Sequence, residues 1–200
     1  MTRHGQDQDN SEGILNGHRD KSLTEKGIEQ AHEIADKIKE SNLVFDTIYS
    51  SPLRRAFDTA KIISETTSNP SPKKEELLIE RDFGIMTGKK ISDIESLCAP
   101  NIVKSDTIIY FLDAEGVETF PVLLNRAGKI LNFINENHKE GSVLLVTSGD
   151  VGKMIYAKYY NLDWKDILTQ IHFGNCDLLL LSENSPATES HVFKIKQHNL

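Results

Sequence analysis

The opening of the chain, Arg3-His4-Gly5, sets a histidine between an arginine and a glycine. A neutral imidazole is a good nucleophile toward phosphorus, and a neighbouring guanidinium can hold two phosphoryl oxygens in a fork and neutralise their charge. Gly5 would let an oxyanion approach the backbone closely. Such a tripeptide is also common in surface turns, so its meaning depends on the residues that follow it.

Further motifs follow the tripeptide in a defined order. The two longest are Tyr49-Ser50-Ser51-Pro52-Leu53-Arg54-Arg55-Ala56 and Leu78-Ile79-Glu80-Arg81-Asp82-Phe83-Gly84. The shorter matches are Asn10, Gly17, Asp20, Ser22-Leu23-Thr24, Gly27, Gln30-Ala31, Thr59-Ala60, Gly116-Val117-Glu118-Thr119, Arg126 and Asn175. In this order the motifs resemble the histidine phosphatase superfamily, which includes the cofactor-dependent phosphoglycerate mutases. The resemblance extends over most of the chain.

The resemblance implies the principal chemical roles. His4 would accept the phosphoryl group, and Arg3 and Arg55 would clamp it. Glu80 falls at the proton-donor position, where it would protonate the leaving oxygen and later activate water, which requires a pKa near the operating pH. No metal or other cofactor is expected, because the arginines supply the positive charge.

Other polar residues have weaker assignments. Asn10 and Gly17 follow the nucleophile, where a side-chain amide and a backbone NH could bind the phosphoryl group, and a plain polar loop is the alternative for each. Arg54 is expected to be a solvated surface charge. Scaffold ion pairs or rim contacts are expected for Asp20, Glu118 and Arg126. Surface positions without metal-ligand spacing are expected for His18, His32, His138, His172, His191 and His198.

Ser148 departs from the family pattern. After the apolar run Val143-Leu144-Leu145-Val146 the family has a second catalytic histidine followed by glycine, and this chain has Thr147-Ser148-Gly149. A serine between a strand and a helix is ordinarily a turn or cap residue. At this position it keeps a hydroxyl donor but cannot carry positive charge, so it would stabilise a phosphoryl transition state less well.

Composition narrows the classes of partner. The formal net charge of -7 over 200 residues argues against a nucleic-acid or anionic-membrane surface. Cys98 and Cys176 lack a CxxC partner, which disfavours a zinc site or a disulfide framework and suits a reducing cytoplasm. No stretch approaches about 18 apolar residues and the N-terminus is polar, so neither a membrane span nor a secretory signal is expected.

Apolar periodicity predicts the secondary structure. Helices are predicted over Thr24 to about Asn42, Pro52 to about Glu65, Phe120 to about His138 and Val151 to Tyr160. Strands are predicted over Phe45 to Ser50, Glu76 to Ile79, Ser142 to Thr147, Asp177 to Ser182 and His191 to Lys196. The alternation predicts an α/β fold, phosphoglycerate mutase-like, with a mostly parallel sheet flanked by helices.

The predicted fold brings the site residues together. His4, Ser51, Glu80 and Ser148 each fall at or after the end of a strand, where ligands bind in such sheets. Residues 1–200 are expected to form one domain, in which the poorly periodic region 84–118 is a lid or inserted cap over the site. Only Met1 and Thr2 precede the first motif, so either the central strand is short or upstream residues are absent.

We therefore expect a phosphomonoester hydrolase that acts through a phosphohistidine at His4 on a small molecule or a phosphoprotein. One alternative is mutase-type phosphoryl transfer, which would need a phosphoenzyme shielded from water and usually a longer chain. The other is a non-catalytic relative that binds phosphorylated ligands, which Ser148 favours. The sequence indicates neither the substrate nor the oligomeric state.

Overall fold

The computed structural model describes residues 1–105, 108–189 and 191–193. Its strands are β1 (Thr2–Arg3), β2 (Thr47–Ser50), β3 (Lys73–Lys74), β4 (Ile102–Lys104), β5 (Ile109–Phe111), β6 (Val143–Thr147), β7 (Leu178–Leu179) and β8 (His191–Phe193). Its α-helices are α1 (Gln8–Glu12), α2 (Glu25–Glu40), α3 (Arg54–Thr67), α4 (Ile94–Cys98), α5 (Phe120–Asn137), α6 (Gly149–Tyr159) and α7 (Trp164–Gln170).

Six of these strands form the central sheet, in the order β3-β2-β6-β1-β7-β8. The pairings β3-β2, β2-β6 and β6-β1 are parallel, whereas β7 runs antiparallel to β1 and β8 antiparallel to β7. The predicted α/β fold with a mostly parallel sheet is therefore confirmed. The short strand β1 lies between β6 and β7, and the His4 backbone NH extends it by donating to the Thr147 carbonyl at 3.0 Å.

Alternate residues of the strands pack on opposite faces of the sheet, as the period of two requires. Ile48, Leu144 and Val146 join the core formed with α2 and α3. Tyr49 and Leu145 join the core formed with α5, α6 and α7. Because helices cover both faces, the sheet holds the ends of its strands in fixed positions.

The long predicted helices are confirmed within two residues or so at each end. Thr24 begins α2 as its N-cap, and its hydroxyl accepts a hydrogen bond from the Gly27 NH at 3.1 Å. Pro52 was expected in the first turn of the next helix, but Leu53 is the N-cap and α3 begins at Arg54. The sequence pattern missed the short helices α1 and α7.

The strand predicted over Glu76 to Ile79 is wrong. Glu76–Leu78 forms a 3₁₀ turn, because the Glu75 carboxylate accepts from the Leu77 NH at 3.0 Å and the next two NH groups bond to nearby carbonyls. These NH groups are therefore occupied and cannot pair with a strand. The edge of β2 is instead covered by β3.

The last two predicted strands are shorter than expected. Only Leu178–Leu179 of the segment Asp177 to Ser182 is a strand, because the Asp177 side chain accepts from the Gly174 NH at 2.7 Å in a turn that precedes it. The second is observed over His191–Phe193. Residues 194–196 of that prediction, and His198, lie outside the described residues. Within the described ranges, no helix has the length and apolar character needed to cross a membrane.

The two ends of residues 84–118, which we call the cap segment, lie beside each other, because Phe83 and Val117 form an antiparallel bridge. Gly84 has φ +50°, and an added Cβ there would overlap the Glu115 carbonyl oxygen. The segment contains α4 and the antiparallel pair β4-β5. Its residues help to build a separate small core of Leu15, Phe83, Met86, Ile94, Cys98 and Phe111.

Candidate active site

His4 lies directly after β1 and is 1% exposed. Its Nδ1 lies 2.7 Å from the Gly5 carbonyl oxygen, so we assign the proton to Nδ1 and the lone pair to Nε2. The Arg55 Nε donates to that Nε2 at 3.2 Å. Burial, with the positive charges of Arg55 and Arg3, lowers the pKa of His4 well below its usual 6.5. The imidazole is therefore neutral at neutral pH, and its Nε2 lone pair accepts the Arg55 hydrogen bond.

Arg55 is fully buried in the first turn of α3. Its Nη1 and Nη2 donate to the carbonyls of Arg19 and Gly17 at 2.7 and 2.8 Å, and its Nε lies 3.2 Å from the Asp7 carboxylate. Gly17 has φ +47°, and its contact with the guanidinium is made through its carbonyl. These partners offset the cost of burying the charge and leave one hydrogen on each Nη for a ligand.

Two buried donors beside His4 have no partner. Among the described residues, three buried side-chain polar atoms lack a hydrogen bond: Arg3 Nε, Ser148 Oγ and Gln30 Nε2. Arg3 is held at one end only, where Nη1 donates to the Phe173 carbonyl at 3.1 Å. A buried donor without an acceptor costs about 1–3 kcal/mol, so a ligand oxygen at this place would be stabilised.

Ser148 lies next to His4 at the carboxyl ends of the central strands β6 and β1. Arg3 pairs with Thr147 across the parallel strands β1 and β6, so the residues that follow these two are also neighbours. Ser148 is the N-cap residue of α6, but its side chain makes no capping hydrogen bond. It has the position of a cap residue without the cap interaction, and its hydroxyl is fully buried.

Glu80 is buried beside the start of α6. Its Oε1 accepts hydrogen bonds from the backbone NH groups of Arg81 at 2.8 Å and Val151 at 3.4 Å. Burial raises the pKa of Glu80, and the nearby Asp150 carboxylate raises it further. A carboxyl group with a raised pKa can hold a proton for donation near neutral pH.

Arg126 on α5 fixes the backbone that carries Glu80. Its Nη1 donates to the carbonyls of Leu77 and Ile79 at 2.6 and 2.7 Å, and its guanidinium forms a two-point ion pair with Glu118. The expectation of a scaffold ion pair for Glu118 and Arg126 is therefore confirmed. The pair holds the turn in which Glu80 is placed.

Asn10 lies on α1, and its Oδ1 is 3.4 Å from the Asn175 Nδ2, which also donates to the His4 carbonyl at 2.8 Å. The structure gives a reason for the glycine at position 5 other than the expected close approach of an oxyanion. A Cβ at Gly5 would overlap the backbone of Gly27 on α2, so the glycine is required for helix packing. A Cβ at Gly27 would in turn overlap the Gln6 carbonyl oxygen, so this packing requires both glycines.

The remaining polar assignments concern residues around the site. Arg54 is exposed, and its backbone NH donates to the Asp20 carboxylate at 2.7 Å, so Asp20 caps α3. Cys98 and Cys176 are buried and free. Within the described ranges, no group of three or more His, Cys, Asp or Glu side chains is arranged to hold a metal.

A cavity of about 280 Å³ adjoins these residues. Arg3, Asn10 and Glu80 contribute to its wall, together with side chains of the cap segment. The sequence pattern did not assign three charged residues that also line it: Arg81, Asp150 and Lys153. Arg81 directly follows Glu80, and Asp150 comes two residues after Ser148. This closeness to motif positions is the sequence signal that could have identified them.

A buried, neutral histidine at the end of the parallel strand β1, two arginines and a protonatable carboxyl group are the groups of a phosphoryl-transfer type of site. The chain belongs to the histidine phosphatase superfamily (branch 1), whose family model matches residues 1–195.

Similar proteins include both mutases and phosphatases. The chain is 39% identical over 95 residues to a 2,3-bisphosphoglycerate-dependent phosphoglycerate mutase of Parvibaculum lavamentivorans, covering 46% of this chain and 45% of the mutase. It therefore spans less than half the length of that relative. It is 32% identical over 162 residues to a metal-independent phosphoserine phosphatase of Arabidopsis thaliana, covering 79% of this chain and 66% of the phosphatase.

A solved structure supports the fold. The mycobacterial glucosyl-3-phosphoglycerate phosphatase superimposes with a TM-score of 0.72 at 24% identity, covering 88% of this chain and 84% of the other. At this identity the likeness concerns the fold.

Proposed function

We propose that this chain is a phosphomonoester hydrolase that acts through a phosphohistidine at His4. The observation that carries the proposal is the pair of unpaired buried donors, Arg3 Nε and Ser148 Oγ, next to His4, whose Nε2 accepts a hydrogen bond from Arg55. Together with Arg55 they form a set of donors suited to the oxygens of a phosphoryl group.

The proposed reaction has two displacements. His4 Nε2 attacks phosphorus, the bond from phosphorus to the alcohol oxygen breaks, and Glu80 gives its proton to that oxygen. Water then attacks the phosphohistidine, Glu80 takes a proton from it, and His4 is released with inorganic phosphate. The lowered pKa of His4 and the raised pKa of Glu80 favour the starting protonation states of both groups.

Ser148 is proposed as the counterpart of the family's second histidine, and it would weaken catalysis. It can donate a hydrogen bond to a phosphoryl oxygen but adds no positive charge. A reduced enzyme is still expected, because loss of one such donor costs roughly 10²- to 10³-fold out of a far larger rate enhancement. The further proposal is that Asn10 and the Gly17 NH complete the phosphate site.

Hydrolysis is favoured over mutase chemistry because a mutase would need a phosphoenzyme shielded from water, and because two phosphoserine phosphatases match over 79% and 82% of this chain. The remaining alternative is a relative that binds phosphorylated ligands without turnover, and Ser148 is the observation in its favour. We further propose that the cap segment covers the alcohol part of the substrate, because it lines the cavity beside Glu80.

The deciding experiment is hydrolysis of 4-nitrophenyl phosphate by the full chain and by His4→Ala. His32→Ala is the matched control, because His32 is an exposed histidine on α2. We expect His4→Ala to abolish turnover and His32→Ala to leave it unchanged. Trapping of an acid-labile phosphoenzyme in the unsubstituted chain alone would support the covalent step. Turnover that persists in His4→Ala would refute the proposal, and phosphate binding without turnover would favour the non-catalytic alternative.

A further inference from the structure

The cavity beside Glu80 has an apolar outer wall that the cap segment supplies. The side chains of the cap segment that line it are Ile91, Ile94, Ile108, Ile109, Tyr110 and Phe111. Arg3, at the end of β1, and Asn10, on α1, line the same cavity. A phosphomonoester whose phosphate lay between the arginines would therefore extend its alcohol toward apolar side chains.

Two of the cavity's charged side chains, Arg81 and Asp150, are paired with each other. The Arg81 Nε donates to the Asp150 carboxylate at 2.7 Å, and both groups are buried. The Arg81 guanidinium also lies 4.8, 4.3 and 4.3 Å from the ring centres of Phe83, Phe111 and Phe120. Arg81 is thus held by one carboxylate and three aromatic rings, which leaves little of its charge for a ligand.

Lys153 is the second buried cation of the wall. Its Nζ donates to the Tyr110 hydroxyl at 2.9 Å and to the Leu168 carbonyl at 2.8 Å. Burial lowers the pKa of Lys153 to about 8, so its ammonium group loses a proton more readily than that of an exposed lysine. The Asp150 carboxylate raises the pKa of Lys153, but its ion pair is with Arg81.

We infer that this cavity selects phosphomonoesters of uncharged, apolar alcohols, and that Asp150 is the specificity-determining residue because it occupies Arg81. The inference rests on the proposed function and deepens it. A second anionic group, such as a carboxylate on the alcohol, would meet the apolar side chains of the cap segment. Of the two buried cations, Arg81 is already paired with Asp150, and the Lys153 Nζ already donates to Tyr110 and Leu168. Burial of an unpaired carboxylate is costly, whereas an apolar ring gains from leaving water.

The test measures binding by calorimetry, so that it does not depend on turnover. The probes are phenylphosphonate, its 4-carboxylate and its 4-carboxamide, which has the size of the carboxylate without its charge. We expect the carboxylate to bind at least about tenfold more weakly than the carboxamide, in the range by which pockets discriminate related groups. Equal affinities for these two probes would overturn the inference.

Asp150→Asn frees Arg81 while keeping an acceptor of similar shape. We expect the 4-carboxylate to bind this variant more tightly than it binds the unsubstituted chain, so that the ratio of carboxamide affinity to carboxylate affinity falls. Asp113→Asn is the matched control, because Asp113 is an exposed aspartate of the cap segment outside this cavity and its loss changes net charge equally. If the ratio is unchanged in folded Asp150→Asn, or falls equally in Asp113→Asn, Asp150 does not set specificity. Thermal melting establishes folding, and if Asp150→Asn does not fold, the ratio in the unsubstituted chain still decides the cavity's preference.

A second pair of variants tests the apolar wall. Ile91→Ser alters an exposed isoleucine that lines the cavity, and Ile85→Ser alters one of the same segment that faces elsewhere. We expect Ile91→Ser alone to weaken phenylphosphonate binding severalfold, with inorganic phosphate binding unchanged in both. Equal effects of the two would refute the assignment of the wall. If inorganic phosphate and all three phosphonates fail to bind the unsubstituted chain, the proposed phosphate site itself falls, and the inference with it.

Discussion

Replacement of Ser148 by histidine is the most direct test of the proposal that Ser148 is the counterpart of the family's second histidine. The Ser148 hydroxyl is fully buried and unpaired beside His4, so it lies where a phosphoryl oxygen would be met. An imidazole there can donate a hydrogen bond and, when protonated, a full positive charge to the transition state. By analogy with removal of one oxyanion donor, the gain in turnover is roughly 10²- to 10³-fold, or about 3–4 kcal/mol.

The structure also predicts what the opposite change does. Ser148→Ala removes a buried hydroxyl that has no partner, which relieves about 1 kcal/mol in the unliganded protein. For a chain of this length that corresponds to a rise in Tm of about 2–4 °C. Phosphate affinity should fall, because the donor is lost. The two variants thus separate the stability of the empty site from its function.

The assay compares turnover of 4-nitrophenyl phosphate by the unsubstituted chain, by Ser148→His, and by Ser148→His combined with His4→Ala. We expect an increase in the single variant and none in the double variant. Phosphate affinity should change much less than turnover, because the added group acts mainly on the transition state. If Ser148→His gives no increase, Ser148 is not the functional counterpart of the second histidine, and the non-catalytic alternative becomes the better one.

Three further predictions concern the protonation, ligand binding and positioning of the site. The kcat/KM should rise with pH as His4 becomes neutral, below its usual pKa of 6.5, and fall as Glu80 ionises, above its usual 4.5. Glu80→Gln should remove the alkaline limb and harm alkyl phosphates more than aryl phosphates with acidic leaving groups; equal losses across a leaving-group series would exclude Glu80 as the acid. Inorganic phosphate should raise Tm, with about 2.7 kcal/mol of stabilisation at 100 times Kd, and an unchanged Tm at tens of millimolar would contradict the site. Arg126→Met should lower kcat and shift the alkaline limb of the pH profile, because Arg126 holds the backbone that carries Glu80, while phosphate affinity is unchanged. Arg54→Met, at an exposed site, should change neither kcat nor the pH profile.

The sequence predicted those parts of the fold that depend on local periodicity. Ile34, Ala35 and Ile38 recur at helical spacing, and all three are fully buried on α2. The strand that became β6 was recognisable as an apolar run, because helices cover both faces of the sheet. Prediction worked where one element's own pattern determines its structure.

Contacts between segments distant in sequence could not be predicted from local patterns. Asp7 lies 3.2 Å from Arg55 across 48 positions of sequence, and Asp150 pairs with Arg81 across 69. No local pattern connects such residues. For Gly5 the sequence pointed correctly to a close approach, but the backbone that approaches it belongs to Gly27. Residue type revealed the constraint, and only the packing revealed its partner.

The serine at position 148 has a consequence for the proton donor as well as for the transition state. Arg55 and Arg3 lower the pKa of Glu80, whereas burial and Asp150 raise it, and the raising effects prevail. A protonated histidine at position 148 would add a third cation near this carboxyl group and lower its pKa. The neutral serine therefore leaves Glu80 protonated to higher pH, so a gain in transition-state stabilisation from Ser148→His should come with an alkaline limb moved to lower pH. An increase in turnover without that shift would mean that the introduced imidazole acts in its neutral form, as a hydrogen-bond donor only.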